Sequence, residues 1–245
     1  MIKHGFFNRD CIECMRVFPD GYFELAIVDP PYGDGGHGAW KCKDGSRFGG
    51  RFDKYKISAQ PIKVHRDGIC SHDKKIISWD SSPPPEYFEE LFRVSQNQII
   101  FGGNYFGLPP TRCFIVWDKK QPDGVSFAQA EYAWTSFNAN AKIFRCAPRG
   151  DGGNTKGEKR IHVCQKPIAL YKWLLHNYAK LGDKILDTHV GSASSLIVCE
   201  DMGYEYVGYE VDKGYYDAAC QRMRLHRAQM RLDAPPTAKI TQETL

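Results

Sequence analysis

Two features that would assign the chain to other protein classes are missing from its sequence. No apolar stretch approaches the roughly 20 residues that a membrane-spanning helix needs, and no basic segment followed by an apolar one opens the chain, so we expect neither membrane insertion nor export. The nine cysteines are odd in number and scattered, several of them within apolar runs. This distribution is not that of a disulfide scaffold, and it predicts reduced thiols in a cytoplasmic protein.

A strong charge of one sign is also absent, since the net charge is only +4 with 25% charged residues. A mildly basic chain permits a nucleic-acid partner without requiring one. The 245 residues and the 42% hydrophobic content are enough for one well-buried core. Size and composition therefore favour an ordinary globular enzyme or binding domain.

Short apolar runs alternate with helical segments along most of the chain. The pattern predicts strands at 22–28, 98–101, 113–117, 130–137, 184–187 and 204–209, and helices at 84–94, from Pro167 to about Lys180, at 192–202 and at 213–230. This alternation favours an α/β fold whose mostly parallel sheet carries helices on both faces. We expect a single domain over 1–232, with an irregular polar insertion at 34–80 and a flexible tail at 233–245.

The sequence Asp29-Pro30-Pro31-Tyr32 directly follows the first predicted strand. Two prolines cannot continue a central strand, so the strand ends here with Asp29 at its carboxyl edge, where open α/β sheets bind ligands. A carboxylate and a proline-fixed carbonyl can both accept hydrogen bonds from the exocyclic amine of a base and stabilise the positive charge that develops there. An adjacent aromatic ring can stack on a flipped base. The alternative is a plain strand end with a packed tyrosine.

A second strand end leads into small residues over 187–195 and then into a helix. The free N–H groups of such a turn can bind a ligand carboxylate or ordered water. The turn is not G-x-G-x-x-G, because its second glycine is absent, and this disfavours a nicotinamide dinucleotide. Glu210 ends the next strand about 20 residues later, where an acidic side chain can accept hydrogen bonds from ribose hydroxyls. Together the two features predict a nucleoside-binding βαβ unit.

In combination, these motifs resemble the DNA amino-methyltransferase family in its permuted β-class order, with the catalytic tetrad early in the chain and the cofactor turn late. Asp10-Cys11 and Gln165-Lys166-Pro167 match two further segments of that family, and the likeness is closest to short enzymes of phage and prophage type. The resemblance implies a Rossmann-like fold with a mostly parallel seven-stranded sheet, and S-adenosylmethionine as cofactor. It also implies methylation of adenine N6 in double-stranded DNA by base flipping, and relatives are often homodimers.

The same resemblance assigns the site residues. The catalytic residues are Asp29, Pro30, Pro31 and Tyr32. The cofactor-binding residues are Asp10, Cys11, Asp29, Lys166, Asp187, Thr188, His189, Gly191, Ser192, Ser194, Glu210 and Val211. Two of the turn residues depart from the family pattern, with His189 in place of phenylalanine and Ala193 in place of the final glycine. A histidine can still stack beside the cofactor, and an alanine fits if its φ is negative. No metal is required.

Residues 34–80, with help from 145–160, are assigned to DNA reading because the chain has no large separate recognition domain. The predicted DNA-binding residues are Trp40, Lys41, Lys43, Arg47, Arg51, Lys54, Arg149, Lys156 and Arg160. Cations that neutralise phosphates and aromatic rings that stack on bases are what a DNA-clasping loop needs. The alternative is a solvated surface loop.

Other functions remain open at this point. The same chemistry would serve a cytosine-N4 methyltransferase or an RNA methyltransferase, and a catalytically inactive DNA-binding module is a third alternative. By the family resemblance, an aspartate at position 29 instead of a serine favours adenine as the methylated base. By the same resemblance, an aspartate instead of an asparagine disfavours a protein glutamine as the substrate. Cys11 and Cys14 fit a short helix better than a metal site. The irregular spacing of Cys42, His65, Cys70 and His72 argues against a metal site there. We expect the protein in the cytoplasm of a bacterium or of a phage-infected cell.

Overall fold

The computed structural model describes residues 4–32, 81–123, 128–148, 160–162 and 164–233. In chain order the elements are β1 (Gly5–Phe7), α1 (Cys11–Met15), β2 (Phe23–Val28), α2 (Pro85–Val94), β3 (Ser95–Phe101), β4 (Phe114–Asp118), β5 (Ala130–Thr135), β6 (Lys142–Arg145), α3 (Ile168–Tyr178), β7 (Lys184–Asp187), α4 (Ser194–Met202), β8 (Glu205–Tyr209) and α5 (Lys213–Asp233). A 3-10 turn at Gly103–Tyr105 follows β3. Each helix and strand located from the sequence pattern is present, with its bounds shifted by at most three residues.

Within these ranges the strands form one eight-stranded sheet in the order β1-β8-β7-β2-β3-β5-β4-β6. Neighbouring strands are parallel except where β5 pairs with β3 and with β4. The mostly parallel α/β fold is therefore confirmed, but the expected count of seven strands is exceeded. The strands that the pattern did not locate are β1 and β6, which are three and four residues long and lie at the two edges. Because β1 precedes Asp10, the Asp10 segment lies between β1 and β2, whereas the sequence pattern had located no strand before 22–28.

The strand that precedes Asp29, β2, lies in the centre of the sheet. Its sequence Phe-Glu-Leu-Ala-Ile-Val is apolar at all but one position and almost wholly buried, as expected for a strand covered on both faces. It pairs in parallel with β7 on one side and β3 on the other. Asp29 and the turn after β7, which the sequence predicts to bind the cofactor, are thereby brought to neighbouring strand ends, although about 160 residues separate them in sequence.

Helices cover both faces of the sheet. Helices α1 and α2 pack on one face, where Met15, Tyr87 and Leu91 are buried against Val28 and Ile100. On the opposite face, residues of α3 and α4 are buried against the other side of the same strands. Helix α5 packs on α4 through Ala219 and Met223. Burial of each large apolar side chain contributes about 2 kcal/mol, so both layers contribute to stability.

The starts of the helices follow from local sequence. Helix α2 has a proline in its first turn, where the missing N–H costs nothing, and Glu86 faces the positive end of the helix dipole. Its buried residues Tyr87, Leu91 and Val94 recur at helical spacing. Helix α1 begins after Asp10, whose Oδ1 accepts hydrogen bonds from the N–H groups of Ile12 and Glu13. That cap fixes the chain beside the cleft described below.

The cysteines within the described ranges are free thiols, four of them buried, in line with the predicted reduced state. The four residues weighed as a metal site, Cys42, His65, Cys70 and His72, lie outside those ranges. Among the helices that the structure describes, none combines the length and the apolar character needed to cross a membrane.

Candidate active site

A cleft of about 690 Å³ opens at the edge of the sheet where β2, β3, β7 and β8 end. Its volume falls within the roughly 300–1,000 Å³ of small-molecule sites. Of the residues predicted from the sequence, its lining includes Asp10, Cys11, Asp29, Pro30, Pro31, Tyr32, Lys166, His189, Gly191, Ser192, Glu210 and Val211. The lining also includes Tyr87, Gly102, Tyr105, Glu131, His162 and Tyr215, which the sequence did not single out. The structure thus gathers most of the predicted site in one place.

Asp29 lies at the end of β2 with both carboxylate oxygens engaged. The Tyr32 hydroxyl donates to Oδ1 at 3.0 Å, and the Lys166 ammonium donates to Oδ2. Burial raises the pKa of the Asp29 carboxyl above its ordinary value, while the Lys166 ammonium lowers it in opposition. The Asp29 carboxylate is therefore a partly buried acceptor with a fixed orientation.

The Tyr32 ring is packed into the cleft wall. It stacks on Tyr105 with 4.6 Å between ring centroids and an interplanar angle of 14°. Gly102 makes this position possible, because a Cβ there would lie 2.1 Å from Tyr32 Cε1, and its φ of +65° favours glycine independently. The aromatic stacking surface expected beside Asp29 is therefore present, and in this structure it is occupied by a second tyrosine.

Lys166 links Asp29 to a second carboxylate. Its side chain is only 3% exposed, and its Nζ lies 3.4 Å from Glu131 Oε2 and 4.5 Å from the centroid of the Phe101 ring. Although burial opposes it, the Asp29 and Glu131 carboxylates raise the pKa of Lys166 above its usual value. The lysine of the Gln165-Lys166-Pro167 segment is therefore a buried cation that fixes the Asp29 side chain.

The turn after β7 is tied to the end of β8 by Glu210. Its Oε2 accepts the Gly191 N–H at 2.9 Å and its Oε1 accepts the Asp212 N–H at 2.8 Å. Gly191 has a φ of +54°, which a glycine adopts without strain. Since a carboxylate has about four acceptor sites, Glu210 can also accept hydrogen bonds from ligand hydroxyls.

Three of the predicted cofactor residues are buried within this turn and do not line the cleft: Asp187, Thr188 and Ser194. Asp187 is buried, accepting the His189 N–H at 3.0 Å and the Ser195 hydroxyl at 2.5 Å. Burial raises the pKa of the Asp187 carboxyl to about 7. Arg222 of α5 donates to the Ser192 carbonyl and the Ser194 hydroxyl, both at 2.8 Å. These contacts fix the shape of the turn.

The two departures from the family turn have different outcomes. His189 lines the cleft, and burial lowers the pKa of its imidazole to about 4, so the ring is neutral and can act as an aromatic surface. It lies edge-on to Tyr87 at 5.3 Å. The condition under which an alanine fits, a negative φ, is not met at Ala193, because its φ is +61° at the start of α4. A non-glycine residue in this left-handed conformation costs about 1–2 kcal/mol.

The far end of the cleft is formed by Asp10, Cys11 and Val211. Asp10 uses only Oδ1 for its helix cap, and its other carboxylate oxygen makes no hydrogen bond with the described residues. Val211 is 63% exposed, which gives an apolar surface facing the cleft. Burial raises the pKa of the Cys11 thiol to about 12, so the thiol stays protonated and acts as an apolar wall. The protein therefore offers an apolar surface and carboxylate acceptors at this end, which are the contacts that the flat base and the hydrogen-bond donors of an adenosine require.

His162 and Tyr215 cover the turn after β7 at Gly191. The His162 ring packs against Gly191, where an added Cβ would lie 3.4 Å from its atoms, and it contacts Tyr215 with 4.2 Å between ring centroids. Burial, with the nearby Lys166 ammonium, lowers the pKa of His162 to about 4, so this imidazole is also neutral. Its position three residues before Gln165 of the Gln165-Lys166-Pro167 segment is the sequence signal that could have identified it.

Most of the predicted DNA-binding residues lie outside the described ranges: Trp40, Lys41, Lys43, Arg47, Arg51, Lys54, Arg149 and Lys156. Arg160 is described and is exposed, with its Nε donating to the His162 carbonyl at 2.8 Å. The assignment of these residues to DNA binding stays a prediction.

Known DNA methylases are similar to this chain in sequence. The N6/N4 methyltransferase family model, described as DNA methylase, matches residues 53–221. The type II methyltransferase M.HinfI of Haemophilus influenzae is 24% identical over 248 residues, which covers 88% of this chain and 67% of that protein.

Two solved structures share the fold. The M1.HpyAVI–SAM complex superposes with a TM-score of 0.51 at 16% identity, covering 89% of this chain and 98% of that one. The cytosine-N4-specific PvuII DNA methyltransferase superposes with a TM-score of 0.53 at 10% identity, covering 94% and 93%. The family match extends over more than half of the chain. The chain belongs to the N6/N4 DNA methylase family, the amino-methyltransferases whose methyl donor is S-adenosylmethionine.

Proposed function

We propose that the protein methylates the N6 amino group of adenine in double-stranded DNA, at a specific sequence and after flipping the base. The observation that carries the proposal is Asp29, fixed at a strand end between the glycine turn on one side and the aromatic pair of Tyr32 and Tyr105 on the other. Cofactor and base can thus approach the same carboxylate from opposite directions. The early tetrad and the late turn correspond to the β-class order of the family, and the resemblance to phage and prophage enzymes stays a prediction.

The residues present fit S-adenosylmethionine. In this proposal Glu210 would accept hydrogen bonds from the ribose hydroxyls, Asp10 and Val211 would bind the adenine end, and the Gly191 turn would bind the methionine end, since all of them line the cleft. When bound there, the cofactor supplies an electrophilic methyl group on a positively charged sulfur. The neutral His162 and His189 add no second positive charge beside that sulfur.

The role of Asp29 is to hold the amine. The amine donates one hydrogen to Asp29 Oδ1, where the Tyr32 hydroxyl now donates, and the other to the Pro30 carbonyl. The amine nitrogen uses its lone pair to form the new N–C bond while the C–S bond breaks and leaves its electron pair on sulfur. The surplus proton on nitrogen then passes to solvent. Positioning and electrostatic stabilisation account for the rate, with Asp29 as hydrogen-bond acceptor rather than general base.

Adenine is favoured over cytosine by the resemblance alone, because Asp29 stands where the family's cytosine enzymes tend to have serine. The acceptor geometry would serve either amine. Cytosine-N4 methylation is therefore the second candidate, and the fold shared with the PvuII enzyme keeps it in consideration. DNA reading by 34–80 and 145–160 and a homodimer remain predictions.

Nucleoside mass spectrometry tests the proposal directly. Unmethylated genomic DNA is incubated with S-adenosylmethionine and with the wild type, Asp29→Ala or Glu200→Gln. Glu200 is a matched control, because its carboxylate pairs with Arg227 between α4 and α5, away from the cleft. We expect N6-methyladenine with the wild type and the control but not with Asp29→Ala. If N4-methylcytosine formed instead, the methylated base would be cytosine and the mechanism would stand. If no methylated base formed, the proposed substrate would be contradicted.

A further inference from the structure

Four charged side chains of alternating sign are connected in series at the base-binding side of the cleft. Lys119 Nζ lies 2.5 Å from Glu131 Oε1, and Glu131 Oε2 lies 3.4 Å from Lys166 Nζ. Lys166 in turn donates to Asp29 Oδ2. Two cations and two carboxylates therefore balance each other, and the series ends on the carboxylate that faces the substrate.

These groups are poorly accessible to solvent. The exposed fractions of the side chains are 15% for Lys119, 24% for Glu131, 3% for Lys166 and 16% for Asp29. The aromatic ring of Phe101 contacts the Lys166 ammonium from a further side. Because water screens such charges weakly, the charge of each member strongly affects its neighbours.

One atom in the series lacks a hydrogen bond. Glu131 Oε2 is buried and accepts no hydrogen bond from any described residue, although the Lys166 ammonium lies 3.4 Å away. Buried polar atoms in native proteins are almost always satisfied, so an exception calls for an explanation. A shift of about 0.5 Å by Lys166 would bring its nitrogen to ordinary hydrogen-bond distance from this oxygen.

We propose that Glu131 is a positioning residue for methyl transfer, which shares the Lys166 ammonium with Asp29. Asp29 can then hold the amine of the base while positive charge develops on its nitrogen. The proposal rests on the proposed function, since it requires Asp29 to bind that amine. Glu131 acts through Lys166 and need not touch the base.

The physical reason is the charge that develops during the reaction. As the N–C bond forms, the amine nitrogen gains positive charge next to Asp29, while the C–S bond breaks with its electron pair on sulfur and the nitrogen later loses a proton to solvent. With Lys166 alone beside it, Asp29 would already be neutralised and would attract the amine weakly. Glu131 supplies a second carboxylate, towards which Lys166 can move as the new charge appears.

The protonation equilibria agree with this arrangement. Although burial raises it, the ammonium groups of Lys166 and Lys119 lower the pKa of Glu131, so Glu131 remains a carboxylate. Glu131 in turn adds to the rise in the pKa of Asp29. The other ionisable groups that shift the pKa of Asp29 are Lys166 and Tyr32. The Asp29 charge in turn raises the pKa values of Asp187, Tyr87 and Tyr171.

The test compares Glu131→Gln with the wild type, with Asp29→Ala and with the Glu200→Gln control. Because Glu131→Gln leaves two buried cations against one carboxylate, the double variant Lys119→Met/Glu131→Gln restores neutrality and protects the fold. The measurements are the single-turnover methylation rate of genomic DNA at several pH values, the KM for DNA, and the Kd for S-adenosylmethionine by calorimetry.

We expect the single-turnover rate to fall about 10–100-fold in both Glu131 variants, less than the roughly 10²–10³-fold loss for removing a direct contact to the transition state, because Glu131 acts through Lys166. The KM and the Kd should stay within about twofold, because neither ligand contacts Glu131 in this account. The acid limb of the pH–rate profile should move to lower pH, since the pKa of Asp29 falls when the neighbouring negative charge is removed. A purely structural role would lower the rate without that shift.

Wild-type rates in both Glu131 variants, with Asp29→Ala inactive, would overturn this inference and leave the proposed function standing. A reduced rate with an unmoved acid limb would also overturn it. A wild type that methylates no DNA, or an Asp29→Ala variant that is fully active, would overturn the proposed function and the inference together.

Discussion

At the scale of single residues, Tyr32 is in two contacts that the substrate would replace. Its hydroxyl donates to Asp29 Oδ1, the acceptor proposed for the amine, and its ring stacks on Tyr105 where the base is expected. The contact with Tyr105 holds the Tyr32 ring in the cleft wall, next to Gly102, where there is no side chain in its way. Base binding therefore requires Tyr32 to exchange one hydrogen bond and one stacking partner.

Substitution of Tyr32 separates these two contacts. Tyr32→Phe keeps the stacking ring and leaves Asp29 Oδ1 open, so the KM for DNA should not rise and methylation should persist. Tyr32→Ala removes the ring, and loss of one base–aromatic stack costs about 1–3 kcal/mol, or roughly a tenfold to hundredfold rise in KM. Steady-state methylation assays measure both, and equal losses in the two variants would contradict a stacking role.

Ala193 offers a test of backbone strain. Its φ of +61° is in the left-handed region, so Ala193→Gly should relieve strain and raise the free energy of unfolding by about 1 kcal/mol, after the entropy cost of glycine in the unfolded chain. The melting temperature should rise by roughly 2–4 °C in a domain of this size. Calorimetry of the cofactor-free protein checks this, and a lower melting temperature would show that Ala193 is not strained.

At the scale of elements, the turn between β7 and α4 is fixed by side chains from three other directions. Glu210 binds its Gly191 N–H from the end of β8, Arg222 binds Ser192 and Ser194 from α5, and Asp187 accepts bonds within it. The small residues that identify this turn in the sequence give it close approach to a ligand, whereas its shape depends on these longer-range contacts.

Glu210→Gln should weaken cofactor binding with little effect on the fold. A glutamine amide has one acceptor oxygen and an NH2 group, so it cannot accept both the Gly191 and the Asp212 N–H groups as well as ribose hydroxyls. We expect the Kd for S-adenosylmethionine to rise about tenfold, measured by calorimetry, since hydrogen bonds to charged groups are the stronger ones. Glu200→Gln serves as the control, and an unchanged Kd in Glu210→Gln would remove Glu210 from the cofactor site.

Asp187 predicts a pH dependence of stability. Burial raises its pKa to about 7 in the folded protein, so the folded state binds a proton more tightly than the unfolded state does. The resulting stability is fully present below the ordinary carboxyl pKa of about 3.9 and is lost as the pH rises through 7. Urea unfolding at pH 5 and pH 8 should show a smaller difference for Asp187→Asn than for the wild type. An equal difference in the two proteins would mean that Asp187 is ionised throughout.

At the scale of the whole molecule, the sheet joins an early and a late part of the chain into one site. Because β2 and β7 are neighbours, Asp29 and the Gly191 turn meet at a common edge. This much follows from the sequence, since parallel strands with helices between them share one carboxyl edge. Lys166 was also located from its motif.

The rest of the site could not be read from strand ends alone. Glu131 lies at the beginning of β5, and it reaches the same edge only because β5 runs antiparallel to β3. His162 and Tyr105 lie in irregular segments whose position depends on tertiary contacts. The short edge strands β1 and β6 carry too few buried residues for a periodic pattern to show. The basic residues of 34–80 lie outside the described ranges, so their contribution to DNA binding stays a prediction.

The most direct test of the central claim is transfer of a deuterated methyl group to DNA. Unmethylated genomic DNA is incubated with S-adenosylmethionine that carries a CD3 group, with the wild type or with Asp29→Ala, and its nucleosides are analysed by mass spectrometry. The account predicts N6-(CD3)-adenine with the wild type and at least a hundredfold less with Asp29→Ala, in line with the roughly 10²–10³-fold loss for a missing transition-state contact. Equal labelling of adenine by both proteins would contradict the account, because Asp29 would then have no role in holding the amine.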